Sequence, residues 1–172
     1  MSQPDTAQGS DGAPPVDRPT VDDLDEMQDG SAVSYLLGRA RSRFERVGPH
    51  EAAAIAGRGG LLVDTRPVAQ RSVHGTIPCA LVVDRNVLEW RLDPTSPHKL
   101  AEVQSGEQEI VVICQEGYAS SLAAATLRSM GLRRATDLDG GFLAWKKAGL
   151  PVDTGGSEGG SGGGGPGAGA DS

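Results

Sequence analysis

Cys114 opens the segment CQEGYASS directly after the short apolar run Ile110-Val111-Val112-Ile113. A cysteine placed where a strand turns into a helix faces unpaired backbone N–H groups and the positive end of the helix macrodipole, and both favour thiolate over thiol. That makes Cys114 a nucleophile candidate. Gly117 permits a positive-φ turn, so consecutive amides can point inward as a small anion-binding nest, while Ser120 and Ser121 can cap the helix and donate O–H bonds. A terminal Cys–S–S⁻ sulfur, which needs several donors and no bulky neighbour, suits such a nest. The competing reading is a buried cysteine acting as a small hydrophobe; the order strand, loop, glycine, serines, helix favours the nucleophile. Glu116 sets a negative charge inside the same loop. It opposes both thiolate formation and the binding of an anionic donor unless it turns to solvent, where ionic screening weakens it.

A loop of this kind needs a rigid frame. The runs Leu61 to Asp64, Ala80 to Asp84 and Ile110 to Cys114 are too short for helices, are bounded by turn residues and lack alternation, so they read as strands buried on both faces. Two weaker strands are expected at Arg46-Val47 and Thr136 to Leu138. Helix-length segments between them point to an α/β fold with a parallel sheet covered on both sides. Val33, Leu36, Leu37, Ala40 and Phe44 recur at helical spacing and predict a first helix that docks by one stripe and ends near Val47-Gly48. Pro49 suits the first position of a second helix running to Ala56. Two more helices are predicted, from Ser120 to Met130 and from Gly141 to Ala148, the latter stopped by Gly149. In an open parallel sheet, reactive groups belong at the carboxyl ends of the strands, which is where Cys114 falls.

Composition confines this fold to the middle of the chain. Residues 1–31 carry eight acids against one base, and residues 155–172 hold ten of the 25 glycines, so a disordered acidic arm and a disordered Gly-rich tail are expected to flank one domain at 32–154. The formal net charge of −7 belongs to these tails, because the middle holds 13 acids and 15 bases. A slight cationic excess suits a small anionic substrate, but the arginines are interleaved with acids and form no nucleic-acid footprint. No apolar run approaches a membrane span, and the first residues lack a secretory pattern, so the expectation is a cytoplasmic protein with no membrane or nucleic-acid partner. Cys79 and Cys114 are then thiols, and with no CxxC pair no metal site is expected.

Four stretches carry a resemblance to a known family. VDTRP (63–67), GTIPCA (75–80), CQEGYASS (114–121) and DGGFLAWKKAGLPV (139–152) resemble, in order, the Asp-x-Arg strand end, the GHIPGA turn, the cysteine loop and the closing Gly-Gly-x-x-x-Trp helix of single-domain rhodanese-like proteins. The resemblance implies a five-stranded, mostly parallel α/β sheet with helices on both faces. It also implies a sulfurtransferase without cofactor, whose cysteine takes the outer sulfur of a donor such as thiosulfate, releases sulfite, and passes the sulfur to cyanide or a thiol acceptor, either a small thiol or a thioredoxin-like protein. Carried over residue by residue, Cys114 is the catalytic persulfide carrier, and Gln115, Glu116, Gly117, Tyr118, Ala119 and Ser120 form the loop that cradles the sulfur. Asp64 and Arg66 brace that loop.

Departures from the family pattern are Cys79 where glycine is usual and Thr76 where histidine is usual. Cys79 is expected to be a small buried residue at a strand start rather than a resolving thiol. His50, His74 and His98 fall in surface connections or at a helix start and are expected to be solvated. Trp90 is expected to bury its ring with Val87 and Leu92 nearby; the sharper alternative for this segment is that Arg85 or Arg91 lines the mouth of the Cys114 pocket. Two rival functions have specific signatures. A phosphatase of the His-Cys-x5-Arg kind lacks both its marks here, since Ile113 precedes the cysteine and Ser120 stands where the phosphate-clamping arginine belongs. A non-catalytic rhodanese-like binding or redox-sensing module is the other alternative, disfavoured by the presence of Cys114.

Overall fold

The computed structural model describes residues 30–154. The expected acidic arm, apart from its last two positions, and the Gly-rich tail lie outside the described residues. The chain divides into two units, Met1–Tyr35 and Leu36–Ser172.

In chain order the elements are α1 (Ala32–Arg41), α2 (Pro49–Gly57), β1 (Leu61–Asp64), α3 (Val68–His74), β2 (Ala80–Val82), a 3-10 turn (Arg85–Val87), α4 (Leu88–Leu92), β3 (Ile110–Ile113), α5 (Ala119–Ser129), β4 (Ala135–Asp137) and α6 (Gly141–Lys147). The strands pair in parallel in the order β2-β1-β3-β4, with Asp64 opposite Ile113 and Val112 opposite Asp137. Every residue of β3 is buried, as its unbroken apolar run requires of a strand covered on both faces. Alternate residues serve opposite faces. Val63, Ile110 and Val112 pack with Leu88 and Leu92 of α4 and with Ala123 and Leu127 of α5. Leu62, Val111 and Ile113 pack with Ala52 and Ile55 of α2 and with Phe142 and Trp145 of α6.

The five-stranded expectation is corrected to four strands among the described residues. The fifth, at Arg46-Val47, shrinks to one parallel bridge between Val47 and Leu138. The Val47 N–H donates to Asp137 O at 3.1 Å and Val47 O accepts from the Asp139 N–H at 2.9 Å. Pro49 then begins α2 two residues later, has no N–H to offer and turns the chain away from the sheet edge. The β2 strand also stops short of Asp84, whose side chain accepts the Asn86 N–H and starts the 3-10 turn. The first helix ends at Arg41 rather than near Val47, and only Ala40 of its apolar stripe is buried; Phe44 packs on the core from beyond the helix end.

Helix α3 was not expected, and its sequence explains why: VAQRSVH buries no residue and leaves Val68 and Val73 exposed, so it has no apolar stripe to read. Trp90 is 58% exposed and Val87 is also exposed, which corrects the buried-ring expectation. Helix α4 buries Leu88 and Leu92, four residues apart on one face, and that registration turns Trp90 outward. Cys79 is likewise exposed, in the turn ahead of β2, and not buried as expected.

Candidate active site

The carboxyl ends of β1 and β3 place Asp64 and Cys114 side by side, with the cysteine one residue past the register pair Asp64 and Ile113. Cys114 is half-buried. Its Sγ accepts the Gly117 N–H at 3.2 Å and the Ser120 N–H at 3.4 Å, and it lies 3.1 Å from Ser120 Oγ. Amide donors converging on sulfur stabilise negative charge there. Gly117 supplies the turn with φ +81°, and a Cβ at that position would stand 2.8 Å from Arg46 Nη2 and 2.9 Å from Gly140 N. Helix α5 begins at once after Tyr118, and no side chain caps it. The expected capping by Ser120 and Ser121 is therefore corrected: their hydroxyls turn to Asp137 instead.

The loop is clamped from the other side by α6. The Phe142 N–H donates to Cys114 O at 2.9 Å and the Leu143 N–H to Gln115 O at 3.1 Å, so carbonyls beside the sulfur satisfy donors that a helix start leaves open. Gly141 makes the approach possible. Its φ is +59°, and a Cβ would lie 2.5 Å from Cys114 O and 2.6 Å from Gly117 N. Gly141→Ala is expected to cost about 2–3 kcal/mol through backbone strain and displacement of the loop. Urea denaturation measures this, and an unchanged midpoint would contradict the clamp.

Beneath the loop lies a polar cluster that the sequence reading did not assign to the site. Asp137, fully buried at the end of β4, accepts Arg46 Nε and Nη2, each at 2.9 Å, Ser121 Oγ at 2.7 Å and Ser120 Oγ at 3.1 Å. Arg46 also donates to Gly117 O at 2.8 Å and to Asp139 at 2.5 Å, and Arg41 donates to Gly117 O at 2.8 Å and to Ser121 Oγ at 3.1 Å. Burial disfavours the charge on Arg46, but the hydrogen bond and charge of Asp137, helped by Asp139 and Cys114, outweigh it and raise its pKa. A signal for the pair was present in the sequence. The two weak strands expected at Arg46-Val47 and Thr136 to Leu138, once laid edge to edge, put Arg46 beside Asp137.

Asp64 and Arg66 form a second buried pair. Arg66 Nη2 lies 2.7 Å from Asp64 Oδ2 and also donates to Gly75 O at 2.9 Å, while its guanidinium stacks 3.6 Å from the Phe142 ring centroid. Its Nη1 comes within 3.4 Å of Gln115 Oε1.

Cys114, Gln115, Glu116, Tyr118, Ala119 and Arg66 line one hollow of about 350 Å³, which Arg85 and Pro67 also border. Gly117 and Ser120 hold the sulfur from behind, and Asp64 sits under Arg66 without facing the hollow. Glu116 and Tyr118 are exposed, so the Glu116 carboxylate is open to solvent. Arg85, ion-paired to Glu89 at 2.8 Å, occupies the pocket rim, the sharper of the two placements considered for it. Arg91 instead donates to His98 O. His50 and His98 are exposed, and none of the three histidines lines the hollow. Among the described residues no three His, Cys, Asp or Glu side chains gather as a metal site, and no helix is long and apolar enough to cross a membrane.

Comparison with known proteins adds a family to this geometry. The Rhodanese-like domain profile matches residues 48–148. The chain is 29% identical over 113 residues to the thiosulfate sulfurtransferase GlpE of Pseudomonas fluorescens, covering 66% of this chain and 94% of that protein. The human single-domain sulfurtransferase TSTD1 superposes with a TM-score of 0.51 at 28% identity, covering 60% of this chain and 96% of the other. A Rhodopseudomonas palustris protein of unknown function, RPA3614, described as a possible tyrosine phosphatase, gives a TM-score of 0.64 at 30% identity over 73% of this chain and 97% of its own.

Proposed function

Because the chain belongs to the rhodanese-like domain family, we propose that it is a sulfurtransferase in which Cys114 carries the sulfur as a persulfide. The observation that supports this most directly is the pair of backbone N–H groups, from Gly117 and Ser120, aimed at a half-buried Sγ on the floor of a hollow bordered by Arg66 and Arg85. The Cys114 thiolate attacks the outer sulfur of thiosulfate. A sulfur–sulfur bond to Sγ forms, the bond to the sulfonate sulfur breaks, and sulfite leaves with its electron pair. An acceptor thiolate, or cyanide, then attacks the terminal sulfur and leaves Cys114 as thiolate again. No cofactor takes part. A second hollow of about 510 Å³ shares Thr65, Arg66, Pro67 and Arg85 with the first, which leaves room for an acceptor beside the donor.

The arrangement does not favour phosphate chemistry. The arginine required to clamp equatorial phosphate oxygens is replaced by Ser120; Arg46 is spent on Asp137, Asp139 and the Gly117 carbonyl behind the loop, and the two arginines that border the hollow, Arg66 and Arg85, are paired with Asp64 and Glu89. The test is turnover: protein incubated with thiosulfate and cyanide is expected to release thiocyanate and sulfite in equal amounts, and absence of both with every sulfane donor tried favours a binding or redox-sensing module. Arg85→Ala is expected to raise KM for thiosulfate about three- to tenfold with little change in kcat, as loss of a rim charge should. Glu116→Gln, at a solvent-exposed carboxylate, is expected to alter the same rate less than about twofold. Steady-state kinetics separate the two, and a larger effect at Glu116 than at Arg85 would contradict this placement of the donor.

A further inference from the structure

The proton inventory behind Cys114 is constrained. Asp137 accepts four hydrogen bonds: two from Arg46, one from Ser121 and one from Ser120. A carboxylate has no proton to give, so the single hydroxyl proton of Ser120 lies on the Asp137 side of its oxygen. The lone pairs of Ser120 Oγ are left to face Cys114 Sγ, 3.1 Å away. In that contact the only available donor is the thiol S–H.

We infer that Asp137 is a positioning residue for Cys114: acting through Ser120, it orients a hydroxyl that receives the resting thiol proton and so tempers the nucleophile. This rests on Cys114 being the reacting group. The two amides of Gly117 and Ser120 serve the anionic sulfur, while the Ser120 hydroxyl serves the neutral one. When the S–H proton leaves to solvent, Ser120 keeps its O–H on Asp137, so its lone pair faces the anionic sulfur and only the two amides serve it. The sulfur is thereby protected at rest although two arginines border its hollow. The other charged groups around it, Arg66, Arg85 and Glu116 on the hollow and Arg46 beneath the loop, are the same in both states.

The test reads Cys114 thiolate directly in the full chain without any sulfur donor, as ultraviolet thiolate absorbance lost in Cys114→Ser and as the iodoacetamide alkylation rate at neutral pH. Alkylation is scored on the Cys114 peptide, because Cys79 is exposed and reacts as well. Ser120→Ala removes the acceptor of the thiol proton and keeps both amides, and is expected to raise the alkylation rate about threefold. Asp137→Asn removes the carboxylate, releases Ser120 to the sulfur and leaves Arg46 with only the exposed Asp139 as counter-charge, and is expected to raise it about tenfold. A merely structural role predicts the opposite sign, since a slackened loop withdraws its amides and lowers the thiolate fraction. A rise in both readouts supports the inference, and no change or a fall overturns it. Ser120→Ala leaves Asp137 paired with Arg46 and Ser121, so it remains decisive if Asp137→Asn does not fold. Failure to transfer sulfur defeats the proposed function and leaves this readout intact.

Discussion

Cys114→Ser is expected to reduce thiocyanate formation at least about a thousandfold while leaving the thermal midpoint nearly unchanged. A serine hydroxyl is almost wholly protonated at neutral pH and forms no persulfide, so the transfer step loses its carrier. The frame should persist. The carbonyls of residues 114 and 115 still receive the Phe142 and Leu143 amides, and a serine oxygen can take the Gly117 and Ser120 N–H groups that now meet sulfur. Activity and circular dichroism, measured on the same preparation, check both halves. Residual turnover above about a tenth of the parent would assign the carrier elsewhere, and Cys79, exposed in the turn before β2, is the thiol left to examine.

Arg46→Ala is expected to destabilise the protein by about 3–5 kcal/mol, the range for removing one partner of a buried ion pair. The side chain of Arg46 is only 17% exposed and that of Asp137 is fully buried, so Asp137 loses its counter-charge where solvation is poor. Asp137 would retain the hydroxyls of Ser120 and Ser121, which cannot neutralise it. Two consequences follow from one deletion: an uncompensated buried charge, and a Gly117 carbonyl with one donor fewer. Arg46→Lys keeps the charge but not the two-pronged contact and should cost less. Urea denaturation reads the difference, and a loss below about 1 kcal/mol for Arg46→Ala would mean that the pair does not hold the loop.

Much of this frame was legible in the sequence because single, local causes produce it. The runs at Leu61 and Ile110 are apolar on both faces, and only a covered parallel sheet accommodates that; the Ala80 run does form a parallel strand, but at the sheet edge with Val82 exposed, which corrects its expected burial on both faces. Gly117 was readable because a loop between strand and helix needs a positive φ somewhere and glycine tolerates it. What escaped had no local cause. Asp137 and its partner Arg46 lie 91 residues apart, each in a segment that reads as a weak strand; nothing in either neighbourhood says that the two lie edge to edge, which arises from the order of strands in the sheet. Ser120 and Ser121 read as helix caps because local hydroxyl-to-amide bonds are the common use of such residues. A buried carboxylate nearby is the stronger acceptor and takes them instead. Trp90 was misplaced for a related reason: an aromatic ring between Leu88 and Leu92 looks like core until the helix registration assigns the buried face to the two leucines.

The proposed function requires the sulfur of Cys114 to accept and hold one more sulfur atom. Intact-protein and peptide mass spectrometry after incubation with thiosulfate measures this in one step. The expected result is a gain of about 32 Da located on the Cys114 peptide, removed by cyanide and absent in Cys114→Ser. An unmodified Cys114 after exposure to thiosulfate and other sulfane donors, or the added sulfur residing on Cys79, would contradict it.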